Sequence, residues 1–306
     1  MNIQKREEYR NTMTINGIDT LSGYVPNVVT YNTMKNGVKD NLNRCNYQPD
    51  RERTYIVVNP NKNGSGEKLI TKYSEFVEKM TFIFNSMDMN LDDMNVIRAD
   101  FCFNSNDKQS YYSYQKLHRL LISCLAKAYK YKNCYVSNSL FDFDRLSVAI
   151  KKDDSEIENY NKYRESDGKD ESANRLELRS KRMSGSTIEY QFMKKWFERL
   201  DKAQKVFEDV QKEYNDHLEK LYKDDLSKPL KERNYLSLNA FLLQYKECIY
   251  TRKQMIDLVG RFEEVKNPTK KADRFKENHK IEYFSKKDLE YIIKILKKKT
   301  TEYFNS

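Results

Sequence analysis

The chain has 306 residues, 56 Lys+Arg against 46 Asp+Glu, a formal charge of +10, and room for one or two domains with a real core. Only 8 glycines and no Gly-rich phosphate loop argue against ATP hydrolysis, and five scattered cysteines without a CxxC pair argue against a disulfide scaffold or a zinc site. The first residues, Met1-Asn2-Ile3-Gln4-Lys5-Arg6-Glu7, lack a signal-type apolar stretch, and no run reaches the ~20 apolar residues of a membrane helix, so a reducing cytoplasm and no membrane partner are expected.

Residues 1–53 are polar and rich in Asn and Thr, and read as irregular, with one strand around Tyr24 to Tyr31. Tyr55-Ile56-Val57-Val58 predicts a short strand stopped by Asn59-Pro60, and Asn63-Gly64-Ser65-Gly66 a loop. Phe76, Val77, Met80 and Phe84 give a helix over 70–87. Val96 to Phe103 alternates cleanly, with Ile97, Ala99, Phe101 and Phe103 on one side and Arg98, Asp100 and Cys102 on the other. A helix follows over Tyr112–Tyr131, then strands at Leu146–Ile150, Glu156–Tyr160 and Arg175–Arg179, with a charged, solvated connection over 164–174.

After Met183 the pattern is almost purely helical. Ser186 and Glu189 form a capping-box start. Met193, Trp196, Leu200, Ala203, Phe207, Val210, Tyr214, His217 and Leu221 then form an unbroken heptad seam, suited to packing within the chain or to a homodimer. Further helices are expected over Leu236–Phe262 and Lys286–Phe304. The fold class is therefore α+β, an antiparallel sheet domain over 54–183 followed by an all-helical, basic domain over 184–306.

Chemistry concentrates on the sheet. Alternate strand residues share a face, which groups Arg98 with Asp100, Arg175 with Glu177 and Arg179, and Glu158 with Tyr160 and Lys162. Paired strands would gather Asp100 and Glu177 as oxygen ligands for Mg or Mn, beside arginines that hold a phosphodiester and a tyrosine that attacks phosphorus. The same residues also fit cross-strand salt bridges on a solvated face. For the nucleophile, Tyr160 competes with Tyr129, which stands in a Tyr-x-x-Lys pattern with Lys132, and with Tyr131 and Tyr135.

Val96-Ile97-Arg98-Ala99-Asp100-Phe101 resembles the "Arg-x-Asp" strand of phage and plasmid rolling-circle replication initiators, the group around filamentous-phage gene II-like and Gram-positive plasmid Rep proteins. Glu158-Asn159-Tyr160-Asn161-Lys162 resembles their "Tyr-Asp/Asn-Lys" strand, Arg175-Leu176-Glu177-Leu178-Arg179 their "Arg-x-Glu-x-Arg" strand, and Val58-Asn59-Pro60-Asn61-Lys62 their early strand and turn. The resemblance spans roughly residues 54 to 183, in order. It implies a nickase-like sheet fold, a tyrosine nucleophile with a divalent metal, cleavage of one origin strand, and a mobile element in a bacterial host. The chain departs from the family in having no His-hydrophobic-His pair, since His118, His217 and His279 stand apart. That departure favours an alternative, a Rep-derived protein without nicking activity that binds DNA or a nucleoprotein, such as a phage-borne regulator or an inhibitor of an RNA-guided nuclease.

Between Lys266 and Lys299 there are twelve basic and five acidic residues, which makes DNA the expected partner of this part of the chain. Lys286, Lys287, Lys297 and Lys298, on an amphipathic helix, are candidate nucleic-acid contacts, and Thr251–Asp257 would complete an origin-binding module.

Overall fold

A computed structural model describes residues 1–26, 29, 38–63, 66–105, 110–129, 147–166, 174–183, 185–262 and 265–306. The alternating segments become strands β1 (Ile15–Val25), β2 (Leu42–Gln48), β3 (Arg53–Val58), β6 (Asn95–Asn104), β7 (Ser147–Lys151), β8 (Ser155–Asn161) and β9 (Asn174–Lys181). They form one seven-stranded sheet in the order β2-β3-β1-β6-β9-β8-β7, every neighbouring pair antiparallel. A separate two-residue hairpin joins β4 (Lys62–Asn63) to β5 (Gly66–Glu67).

The helices, in chain order, are α1 (Ile3–Thr12), α2 (Tyr73–Asn85), α3 (Ser110–Ala128), the single turn α4 (Lys162–Glu165), α5 (Ile188–Tyr190), α6 (Phe197–Lys205), α7 (Phe207–Leu226), α8 (Leu238–Gln244), α9 (Arg252–Gly260), α10 (Pro268–His279) and α11 (Lys286–Phe304). Among the described residues no helix is long and apolar enough to cross a membrane.

The apolar side of β6 decides where the helices lie. The Phe101 ring meets Phe192, Tyr303 and Phe304 at centroid distances of 5.4, 5.2 and 5.9 Å. Trp196 Nε1 donates to Ser180 Oγ of β9 at 2.9 Å. Tyr73 of α2 packs on Phe304, and Tyr9 of α1 on Tyr114 of α3. Helices thus cover one face of the sheet, a two-layer solution for strands with one apolar face. Met183 marks a change of secondary structure and not the edge of a core, because one buried apolar cluster runs from Ile18 through Phe101 to Phe304.

Several expectations are corrected. Residues 1–53 are not irregular: β1 lies inside the sheet between β3 and β6. Its alternation is broken by a register shift between Ile18 and Thr20, and its Asn, Gly, Ser and Thr residues mute the hydrophobic signal. The strand expected at Tyr24–Tyr31 is β1 instead, and 27, 28 and 30–37 lie outside the described residues. The expected helix over Leu236–Phe262 is α8, a 3₁₀ turn and α9, because Ser237 and Thr251 each cap a new N-terminus. The helix at Pro268 was not anticipated. The cap near 186 is Thr187, whose side chain accepts from Tyr190 N–H.

The heptad seam is interrupted by a π-helical stretch over Gln191–Trp196 and by a break at Val206. Trp196, Leu200, Ala203, Phe207, Val210 and Tyr214 are buried within the chain, and beyond Tyr214 burial passes to Leu218 and Tyr222, leaving His217 exposed. The seam is thus an intramolecular packing face.

Candidate functional site

Strand register builds the polar face. Across β6 and β9, Asp100 stands opposite Arg179, Cys102 opposite Glu177 and Asn104 opposite Arg175. Across β8 and β9, Glu156, Glu158 and Tyr160 stand opposite Arg179, Glu177 and Arg175. Directly opposed residues project to the same side of a sheet. Asp100 and Glu177 therefore share the face away from the helices, as their spacing predicted.

The arginines bind these acids to one another. Arg98 grips Asp100 through both Nε, at 2.8 Å, and Nη2. Arg179 bonds Glu177 through Nε, Glu156 through Nη1 and Glu158 through Nη2 at 3.0 Å, with its Nε 3.6 Å from Asp100. Lys181 and Lys151 complete the shell of Glu156 at 2.6 and 3.2 Å. Tyr160 donates its hydroxyl to Glu177 Oε2 at 3.0 Å, and Arg175 Nη1 donates to the Tyr160 hydroxyl oxygen at 3.5 Å. Arg175 also donates to Asn104 Oδ1 at 2.9 Å and to Asp19 Oδ1 at 3.0 Å, and its Nη2 lies 3.9 Å from Glu67.

Burial and charge shift these groups unequally. Burial pushes the Asp100 carboxyl up to about 7; Arg98 opposes this, and the Glu177 charge adds to it. Burial likewise raises Glu158 and, reinforced by Asp19, Glu67. Asp19 is held low by Arg175 against its burial, and Glu156 by Lys181 and Arg179 against its own. Burial and the Glu177 charge hold the Tyr160 hydroxyl well above the ordinary tyrosine range.

Among the described residues no three His, Cys, Asp or Glu side chains converge as a metal-holding group. Asp100 and Glu177 supply two carboxylates on one face, and Mg²⁺ is commonly held by one or two carboxylates with water in its other positions. Those two residues therefore fit a partial shell for Mg or Mn, in competition with Arg98 and Arg179.

Other predicted residues go elsewhere. Lys162 is not on the strand face, because Asn161 caps a helical turn there and Lys162 pairs with Glu165 at 2.9 Å. Its charge still acts on Asp19. Arg175 is 1% exposed and acts as an internal strut, not as a surface phosphate ligand. Arg98, with a side chain 37% exposed, remains open to solvent. Tyr129 ends α3 on the helical side of the sheet, with Lys152 and Lys202 at 5.8 and 5.4 Å from its ring, so the structure does not bring it to the acids. Tyr131, Lys132 and Tyr135 lie outside the described residues.

Lys286 and Lys287 are exposed at the start of α11, whereas Lys297 pairs with Asp201 at 2.6 Å and Lys298 lies 3.5 Å from Glu302. The two lysine pairs are about 16 Å apart along the helix, so they do not form one patch, and α11 packs on the side of the sheet opposite the acids.

Sequence reasoning missed Asp19, Glu67 and Glu156. Asp19 sits at the register shift of β1, where strand parity cannot be read from the chain, and Glu67 arrives through a hairpin. It also missed Tyr24 and Tyr55, whose rings pack at 5.5 Å on the same open face, with Arg53 over Tyr24 at 3.7 Å. No protein-family model matches this chain, and neither do curated proteins or solved structures.

Proposed function

We propose that the chain is a rolling-circle-type replication initiator of a plasmid or phage, which binds origin DNA and cuts one strand on the polar face of its sheet, where Asp100 and Glu177 are 2% exposed and Tyr160 9%. The observation that carries this reading is the placement of Asp100, Glu177 and the Tyr160 hydroxyl together on three adjacent strands, ringed by Arg98 and Arg179. Asp100 and Glu177 would hold Mg or Mn, which supplies Lewis-acid polarisation of a phosphoryl oxygen when bound.

In the proposed step the Tyr160 oxygen attacks phosphorus as its proton passes to Glu177. The P–O bond to the leaving sugar breaks, and that oxygen takes the proton and departs as a free hydroxyl. The phosphotyrosyl bond keeps the strand end available for rejoining. Arg98 meets the phosphodiester charge, and Tyr24 and Tyr55 with Arg53 offer a stacking surface for unpaired bases.

A second reading has its own support. Each of Asp19, Glu67, Asp100, Glu156, Glu158 and Glu177 already has a guanidinium or ammonium within ion-pair distance. A face neutralised in this way also suits a Rep-derived protein that binds DNA or a nucleoprotein without cutting.

One assay separates the two. The protein is incubated with Mn²⁺ and a supercoiled plasmid carrying the DNA that flanks its coding region, and a denaturant-resistant protein–DNA adduct is sought. Under the first reading the adduct forms, is lost in Tyr160→Phe and persists in Tyr129→Phe. A gel shift without any adduct supports the second reading, and neither adduct nor shift overturns both.

A further inference from the structure

A cleft of about 580 Å³ opens between the end of α7, the start of α8 and the first turns of α10, far along the chain from the sheet acids. Its cationic lining is Arg233, Lys266, Lys270, Lys271 and Arg274, and no Asp or Glu is among its lining residues. Lys270, Lys271 and Arg274 share a face of α10 by their three- and four-residue spacing. The other side of that helix buries Ala272 and Phe275.

Several cations near the cleft are held by carboxylates. Arg252 is clamped by Asp273, Arg261 by Asp216, Glu219 and Asp257, and Lys297 by Asp201. Among the described residues, no carboxylate forms an ion pair with any of the five in the cleft; Glu263 and Glu264 lie outside the described residues. Beside the cations, Leu226 and Leu236 are 38% and 80% exposed, an apolar surface of the kind that meets sugar faces.

We infer that this cleft is a docking site for the phosphodiester backbone of nucleic acid. It rests on the nucleic-acid part of the proposed function and not on strand cutting. Several phosphates along one strand would meet Lys270, Lys271 and Arg274 in succession, with Arg233 and Lys266 on the flanks. Released counterions drive such binding, so its salt dependence reports the number of contacts.

The test is fluorescence anisotropy in EDTA, which prevents cutting, with labelled 20-mer duplex and single-stranded DNA across a NaCl series. The triple variant Lys270→Glu, Lys271→Glu, Arg274→Glu is compared with Lys68→Glu, Lys205→Glu, Lys220→Glu, which changes net charge equally at exposed positions elsewhere. The cleft variant should lose at least about 10-fold in affinity, and its duplex salt slope should fall by roughly 2.7, while the control triple changes affinity by less than about 3-fold. The duplex and single-strand arms identify which form of the backbone is held. Equal losses in the two triples would overturn the proposal, as would wild-type protein that binds neither DNA at low salt. Cutting is scored separately, as the Mn²⁺-dependent adduct of the same triple variants, so loss of nicking and loss of docking are told apart.

Discussion

At the scale of single residues, two buried titratable groups make opposing pH predictions. Asp100 has its folded pKa raised from 3.8 to about 7, so its contribution to stability is complete below pH 3.8 and is lost as pH rises through 7. The loss is on the order of 4 kcal/mol. Asp100→Asn removes the titration, so the variant should gain on the wild type in urea midpoint between pH 4 and 8. A constant difference across that range would refute the assignment. His118 behaves in the opposite sense. Its imidazole is buried, sits 3.1 Å from the Tyr9 hydroxyl and is lowered by burial to about 4. Its contribution is complete above pH 6.5 and is lost as pH falls through 4, and His118→Gln should flatten that acid loss. Arg179 is the shared partner of Glu156, Glu158 and Glu177. Arg179→Ala leaves the largely buried Glu158 and Glu177 without their ion-pair partner, while Glu156 keeps Lys181 and Lys151, and should cost about 3–5 kcal/mol in urea unfolding at pH 7.5.

At the scale of elements, β1 carries the tightest steric requirement. A Cβ at Gly23 would run into the backbone carbonyl of Asn95 on β6, an atom that cannot swing aside. Gly23→Ala should therefore push β1 and β6 apart and cost about 1–3 kcal/mol, read as a lowered thermal midpoint. The unbroken seam read from the heptad spacing becomes a π segment, α6, a kink at Val206 and α7. The reason is the surface it must follow: Trp196 is fixed to Ser180 of β9, while Tyr214 bonds Ser123 of α3 at 2.9 Å. Those two anchors lie on different elements, and the change of helical pitch lets one helical run reach both.

At the scale of the whole molecule, the last helix is part of the sheet's core. Tyr303 and Phe304 cover Phe101, Ile18 N–H reaches the Tyr303 hydroxyl at 3.4 Å, and Tyr291 donates to the Arg6 carbonyl of α1 at 3.0 Å. A chain ending at residue 285 should lack a fixed core, which would appear as lost near-UV circular dichroism and strong dye binding. A sharp cooperative melt of that truncation would show the sheet to be self-sufficient. Because α1 and α11 join one core, cleavage chemistry on the polar face and backbone docking in the α10 cleft would belong to a single folding unit.

The alternation from Val96 to Phe103 and in Arg175–Arg179 sufficed to place Asp100 and Glu177 on one face, because strand parity is a local property of the backbone. It was also enough to mark Trp196, Leu200, Phe207 and Tyr214 as buried, since helical spacing alone sets which residues share a side. What the chain could not disclose is which elements become neighbours. Asp19 and Glu67 meet Arg175 only through a shifted strand and a hairpin, Tyr129 is carried to the far side of the sheet by α3, and Lys286 and Lys297 are separated along one helix. Lys270, Lys271 and Arg274 form a cleft only where α7 and α8 face them. These are long-range contacts, fixed by the shared burial of apolar surface across the whole chain, and no window of local sequence contains them.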